Sequence, residues 1–306
     1  AHFPSQTAMD SLVATLSSAD GFMRYKTIAA IESLHRRHPG LTVSRERLDA
    51  LTLDEARRFF NAHTLHASMK RGAKEIGGTL LARALDEKQQ RTLDRIFRLL
   101  ALMYPAMDLA SVWSVLKHGD ARQRAGAAEY LDNVVAGLLR KRVLLMVEEM
   151  PDAERLRQIS ALCGLRVRAV DDTLAQLIHD DDPVMAAAAI HFTAATGRWE
   201  LADDLEFVKT HRVESNWCAS DTATWALSTR TALAGERGEG LSPLPTVALA
   251  DQLRRLSMFD HVSVDELFRF AGTARQARYE RGRHLYRGGV QPDTLEFLVE
   301  GSVQTE

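Results

Sequence analysis

The chain has 306 residues, with 39 Lys and Arg against 41 Asp and Glu and a formal net charge of -2, so it lacks the basic excess that marks a nucleic-acid binder. Two cysteines, Cys163 and Cys218, have no CxxC spacing, so no zinc site or disulfide framework is suggested. Hydrophobic residues make up 45% and aromatics 7%, a balance that, with abundant Ala and Leu, suits helices packed on helices.

In chain order, one local pattern recurs three times. The first copy is Leu12–Leu16, a break at Ala19-Asp20-Gly21, and Phe22–Ile31. Further helices are expected over Leu53–Lys70, Lys74–Leu85 and Leu93–Tyr104, with a boundary at Pro105. The second copy is Val112–Leu116, a break at His118-Gly119-Asp120, and Arg124–Leu131. Another helix is expected over Pro151–Cys163, with Pro151 as its boundary. The third copy is Leu174–Leu177, a break at Asp180-Asp181-Asp182-Pro183, and Val184–Ile190.

Each copy reads as a short helix, an acidic turn and a longer, small-residue helix. An Asp in the turn can accept from the free N–H groups of the second helix and favour its positive end. Pro183 suits a first helical turn. Arg24 and Arg124 each follow an Asp by four residues, Asp20 and Asp120, and share its face. Such a hairpin hides its apolar stripe only against a neighbour, so stacking is expected. The repeat-turn residues singled out are Asp20, Arg24, Asp120, Arg124, Asp181 and Pro183.

The style changes near residue 235. Residues 234–245 are Gly- and Pro-rich and charged, as a linker is. A short helix is expected at Val264–Ala271, and Thr294–Val303 alternates like a β-strand.

The three hairpins, with Asp in the turn, then Arg (Met185 in the third copy), then a small-residue helix, resemble HEAT repeats. Residues 247–306 resemble the start of cyclic-nucleotide-binding domains. The resemblance is carried by Leu256-Ser-Met-Phe259, Leu267, Gly282, Gly289, Asp293, Leu295, and Gly301 before Val303. It implies that Gly282, Gly289 and Gly301 sit at corners of a β-roll, where φ turns positive. In that family a later cassette, a Gly-Glu pair and an Arg, holds the ribose and cyclic phosphate. Those residues are not in this sequence, so no ligand-binding residue is assigned and no cofactor is expected. Helical repeats joined to such a roll, together with Leu93–Pro105 and Ala128–Val134, look similar to the soluble C-terminal region of bacterial ATP/ADP-translocase-like transporters of the major-facilitator type.

The expected organisation is therefore mainly α. Residues 1–234 form a HEAT-like α-solenoid of stacked hairpins, 235–246 a linker, and 247–306 a short helical and β segment, an incomplete roll. A chain that does not open on Met reads as a piece of a longer protein. The low cysteine use and missing secretory signal point to a cytoplasmic setting, or to the cytosolic face of an inner membrane. The longest apolar stretch, Val184–Ala195, is short of the roughly 20 residues a bilayer requires.

Other features are given bland readings. His35/His38 and His63/His66 are pairs at i, i+3 without a completing ligand cluster. Glu148-Glu149 and Asp180–Asp182 lack calcium-loop spacing. Arg36-Arg37 and Arg140-Lys141-Arg142 are short basic clusters that could meet anionic lipid. Trp113, Trp199, Trp217 and Trp225 are expected to pack between helices. Ser215, Ser220, Asp221 and His211 lack a nucleophile-elbow context. No catalytic or metal residue is assigned. The expected function is a non-catalytic regulatory or interaction module with a protein partner or an attached membrane domain, and no nucleic acid. The alternatives are a HEAT-repeat scaffold without nucleotide sensing, or an enzyme that processes nucleic acid on HEAT-like helices.

Overall fold

The structure is a computed structural model and describes residues 4–17, 21–214, 216–233, 243–285, 296–299 and 301–304. The described residues are mainly helical and include no strand. The helices are α1 (Gln6–Thr15), α2 (Gly21–Arg37), α3 (Arg45–Gly72), α4 (Leu80–Met103), α5 (Leu109–His118), α6 (Ala121–Val134), α7 (Gly137–Val147), α8 (Asp152–Cys163), α9 (Val170–Ile178), α10 (Pro183–Ala195), α11 (Ala202–His211), α12 (Trp217–Leu233), α13 (Thr246–Leu253) and α14 (Val264–Thr273).

Their starts follow from the sequence. Ser5, Ser44, Thr79, Asp108, Asp120, Asp182 and Ser263 each accept a backbone N–H of the first turn of the helix that follows. Pro105 and Pro151 stand at boundaries as expected: α4 ends at Met103 and α8 begins at Asp152. One expectation is corrected. The segments read as two helices, Lys74–Leu85 and Leu93–Tyr104, form a single-turn 3-10 helix at Lys74–Ile76 and then one long α4. Gly77 and Gly78 break the chain before Thr79, and nothing between Leu85 and Leu93 interrupts the helical pattern.

Chain neighbours pack as pairs: α1 on α2, α3 on α4, α5 on α6, α9 on α10, α11 on α12 and α13 on α14. The long α3 and α4 also span two hydrophobic cores. Leu48–Phe60 of α3 and Leu93–Met103 of α4 join one core with α1, α2 and α5–α8. Leu65 and Met69 of α3 and Leu80–Leu85 of α4 join a second core with α9–α14. Contacts of α4 with α10 and of α3 with α9 reach beyond the next hairpin, whereas a strictly one-dimensional stack touches only nearest neighbours. Close approach has a sequence cause at the end of α3: a Cβ on Gly72 would lie 2.2 Å from Val170 Cγ2.

The Ala-rich α10 is the centre of the second core. Ala186, Ala187, Ala188 and Ala189 are all buried, and α4, α9, α12, α13 and α14 surround the helix. Small side chains let so many neighbours come close. No helix among the described residues is long and apolar enough to cross a membrane.

The expected strand over Thr294–Val303 is not supported. Residues 296–299 and 301–304 form no ladder, and 286–295 and 300 lie outside the described residues. Gly282 and Gly301 do adopt positive φ, +83° and +103°, which glycine tolerates and other residues resist. Gly289 lies outside the described residues.

Candidate functional site

The most developed polar assembly lies where α4 meets the turn into α14. Arg83, Glu87 and Arg91 follow one another at i, i+4, i+8 and so line one face of α4. Arg83 Nη2 donates to the Asp260 carbonyl at 3.1 Å and to the Val262 carbonyl. The Glu87 carboxylate accepts from the Val264 N–H, its oxygens at 2.9 and 3.0 Å. Arg91 pairs with Asp265. Ser263 and Glu266 complete a capping box at the same helix start. A carboxylate thus sits on the positive end of α14, flanked by two guanidinium groups. Burial pushes the Glu87 carboxyl above its ordinary value, opposed by the Val264 amide and by Arg91 and Arg83.

Beneath this polar edge, Val264, Leu267, Phe268 and Ala271 of α14 and Val247, Ala250 and Leu253 of α13 enter the second core. A further contact lies on α10. His191 stacks on Trp225 of α12, with ring centroids 5.7 Å apart. His191 and the Asp251 carboxylate of α13 act on each other through charge. Asp251 also holds Arg254 at 2.7 Å and Arg255 at 2.8 Å. Burial raises Asp251, but Arg254, His191 and Arg255 outweigh it and hold the carboxyl below its ordinary value. Burial is also the main influence on His191, whose imidazole it lowers.

The residues singled out from sequence fall at scattered places. Asp120 caps α6 through a capping box with Gln123, both bonds 2.8 Å. Arg124 does not stay on its own turn alone. It donates to the Gly119 carbonyl and binds Glu149, beyond the end of α7, at 2.6 and 2.8 Å. In the third copy the cap is Asp182, not Asp181. Asp182 Oδ1 accepts from the Val184 and Met185 amides, whereas the Asp181 side chain is 99% exposed and lies 3.8 Å from Arg212. The run of three Asp residues hid which one meets the helix axis. Pro183 occupies the first turn of α10 as expected. Asp20 lies outside the described residues, and Arg24 of α2 reaches Glu55 of α3 at 2.8 Å.

Glu55 is a buried hub that the sequence reading missed. Its side chain, 4% exposed, also binds Arg95 of α4 at 2.7 Å and lies 3.7 Å from Arg58. It borders a cavity of about 20 Å³ with Arg24, Arg58, Asp54 and apolar neighbours. Burial lowers Arg24 from its ordinary value against the pull of Glu55. The signal was present: Glu55 falls in the α3 stripe between Leu51/Thr52 and Phe59, and a charge inside an apolar stripe requires a partner. The row Arg83, Glu87, Arg91 and the capping phrase Ser263–Glu266 were equally readable.

The remaining candidates have local occupations. Asp180 binds Lys88 with both oxygens at 2.8 Å. Arg140 pairs with Asp132, and Arg142 donates to the Leu138 carbonyl. Trp113 stacks on Phe97 at 4.6 Å and donates to Asp94, and Trp199 lies by Arg230. Trp217 departs from the expectation of packing: it is 63% exposed. Ser220 Oγ donates to the Lys209 carbonyl, His211 stacks on Phe207, and burial raises Asp221. Ser215 lies outside the described residues. Among the described residues no three His, Cys, Asp or Glu side chains are grouped to hold a metal ion.

No protein-family model, curated protein or solved structure matches this chain.

Proposed function

We propose that the chain is a non-catalytic regulatory or interaction module, in which a stack of HEAT-like hairpins carries the opening part of a cyclic-nucleotide-binding-type unit and couples it to a partner. The observation that carries this reading is the joint of α4 and α10 with α13 and α14. A polar clamp fixes the start of α14 while its apolar face completes the core of the helical body. A change imposed on the C-terminal segment is thereby transmitted to α4, which runs through both cores. The partner in this reading is a protein or an attached membrane domain, and the wider setting is the cytosolic part of a nucleotide-transporter-like bacterial membrane protein.

A cyclic nucleotide enters this reading only in a longer chain, so the test is hydrogen exchange on a longer version that carries the Gly-Glu and Arg cassette, with and without saturating cyclic AMP, cyclic GMP or a cyclic dinucleotide, alongside a check for consumption of each. Altered protection in α14 and α4 without turnover supports the reading. Turnover overturns it. Unchanged protection with every nucleotide removes the sensing role and favours a HEAT-repeat protein scaffold. The exposed apolar residues Met258, Phe270 and Leu298 speak for that second reading, since a scaffold presents such surface to other proteins.

A further inference from the structure

The seam between α3 and α4 holds a chain of side chains distinct from the clamp on α14. His63 and His66, one turn apart on α3, face Gln89 and Asp86 of α4. His63 Nδ1 lies 3.1 Å from Gln89 Oε1, and Gln89 Nε2 lies 3.2 Å from His66 Nδ1. His66 Nδ1 is also 3.0 Å from Asp86 Oδ1. The Nε2 atoms of both histidines are buried without a hydrogen-bond partner. Asp86 is mostly exposed, so protons reach the chain through it.

The surroundings come from several elements. Phe59 of α3 stacks on His63, and Asp152 and Arg155 of α8 act on His63 through their charge. Arg155 itself is tied to the Leu145 and Glu148 carbonyls of α7 and its end. Lys70 of α3 acts on Asp86. Ahead of α9, the Arg168 amide bonds Ser68 Oγ on α3.

An amide has one donor end and one acceptor end, and a neutral imidazole carries one N–H. The chain therefore has two self-consistent arrangements. In the first, His63 donates from Nδ1 to Gln89 Oε1 and Gln89 donates to His66 Nδ1 and to the Leu85 carbonyl at 3.2 Å. His66 then carries its proton on the orphaned Nε2 and turns a lone pair toward Asp86. In the second, the amide is turned over. His66 donates from Nδ1 to Asp86 and to Gln89 Oε1, Gln89 donates to His63 Nδ1, and His63, during an opening of the seam to water, gives its Nδ1 proton to water and takes another from water on its own Nε2. Leu85 favours the first arrangement and Asp86 the second. A doubly protonated His66 fits only the second, because it has no lone pair left for the amide.

We propose that His66, Gln89 and His63 form a proton-driven tautomer relay, in which charging His66 against Asp86 turns the Gln89 amide over and favours the His63 tautomer protonated on Nε2 over the one protonated on Nδ1, the two protons being exchanged with water. The Asp86 carboxyl fits this: burial raises it, but the hydrogen bond and charge of His66 hold it below its ordinary value.

Long-range proton–nitrogen NMR correlations of the imidazoles in the ¹⁵N-labelled chain, recorded from pH 8 to pH 5, test the relay. The expected result is that His63 exchanges its protonated nitrogen at the same midpoint at which His66 becomes charged. Asp86→Asn, a change at an exposed position, moves that shared midpoint to lower pH, and Gln89→Leu leaves the His63 tautomer indifferent to His66. A wild-type His63 that keeps one tautomer throughout, or that changes at a midpoint of its own, overturns the proposal. If Gln89→Leu does not fold, wild type and Asp86→Asn decide.

Discussion

Removing the Glu87 side chain is the sharpest perturbation of the joint between α4 and α14. Its carboxylate makes one shared, charge-assisted bond to the Val264 amide, a contact of about 1.5–3 kcal/mol. Its place at a helix N-terminus adds roughly 0.3–1 kcal/mol. Against this stands the cost of burying the charge, which is why the carboxyl lies above its ordinary value. Arg83 and Arg91 keep their contacts to the Asp260 and Val262 carbonyls and to Asp265 in the variant. The net expectation for Glu87→Ala is a loss of about 1–3 kcal/mol, confined to α14. That corresponds to opening favoured about fivefold to 140-fold, at roughly 1.4 kcal/mol per decade. Native-state hydrogen exchange of amides 264–271 reads it directly. Glu87→Gln retains an acceptor without the buried charge and loses less. The sign in pH follows: a carboxyl raised in the folded state contributes most below its unfolded value, and that contribution is lost as pH rises through the folded value. Protection of α14 in the wild type therefore increases on mild acidification, and Glu87→Gln removes the increase. Protection unchanged within twofold in Glu87→Ala refutes the reasoning.

Three other perturbations follow from the same packing. Asp251 is held below its ordinary value, so its contribution is present above the unfolded carboxylate range and is lost as pH falls through the lower folded value; melting curves of Asp251→Asn are expected to be lower than wild type at pH 7 by about 1–3 kcal/mol, with the gap closing in acid. Glu55→Gln leaves Arg24 and Arg95 around a neutral amide, and urea unfolding is expected to show a loss of about 3–5 kcal/mol, as for a broken buried ion pair. Ala188→Leu forces a large side chain into fully packed α10, with an expected cost of about 1–3 kcal/mol from overpacking; an unchanged denaturation midpoint would show α10 to be loosely surrounded.

Much of the helical body was legible because its signals are local. Asp120 marks a helix start through bonds spanning three residues, Pro183 suits a first helical turn because it needs no N–H partner, and Pro105 and Pro151 mark boundaries by backbone chemistry. What escaped depends on partners distant in sequence. Arg124 holds its own turn at Gly119 and also reaches Glu149, beyond the end of α7, and the choice of Asp182 over Asp181 depends on how the turn enters α10. The reach of α4 across both cores was obscured by reading Lys74–Leu85 and Leu93–Tyr104 as separate helices, although the polar residues between them interrupt no helix. The clamp on α14 joins positions more than 170 apart in the chain, so only its two halves were visible: a charged row on α4 and a capping phrase at Ser263. The alternation of Thr294–Val303 suggested a strand, but alternation alone supplies no ladder partner.

The central claim is that α13 and α14 belong to the helical body and not to a unit hanging beside it. A protease site placed within residues 235–242 tests this: after complete cleavage, the two pieces are passed over a sizing column under native conditions. The account expects residues 243 onward to co-elute with the larger piece, held by Leu267, Val264, Glu87 and Asp251. Separate elution of two folded pieces would contradict it.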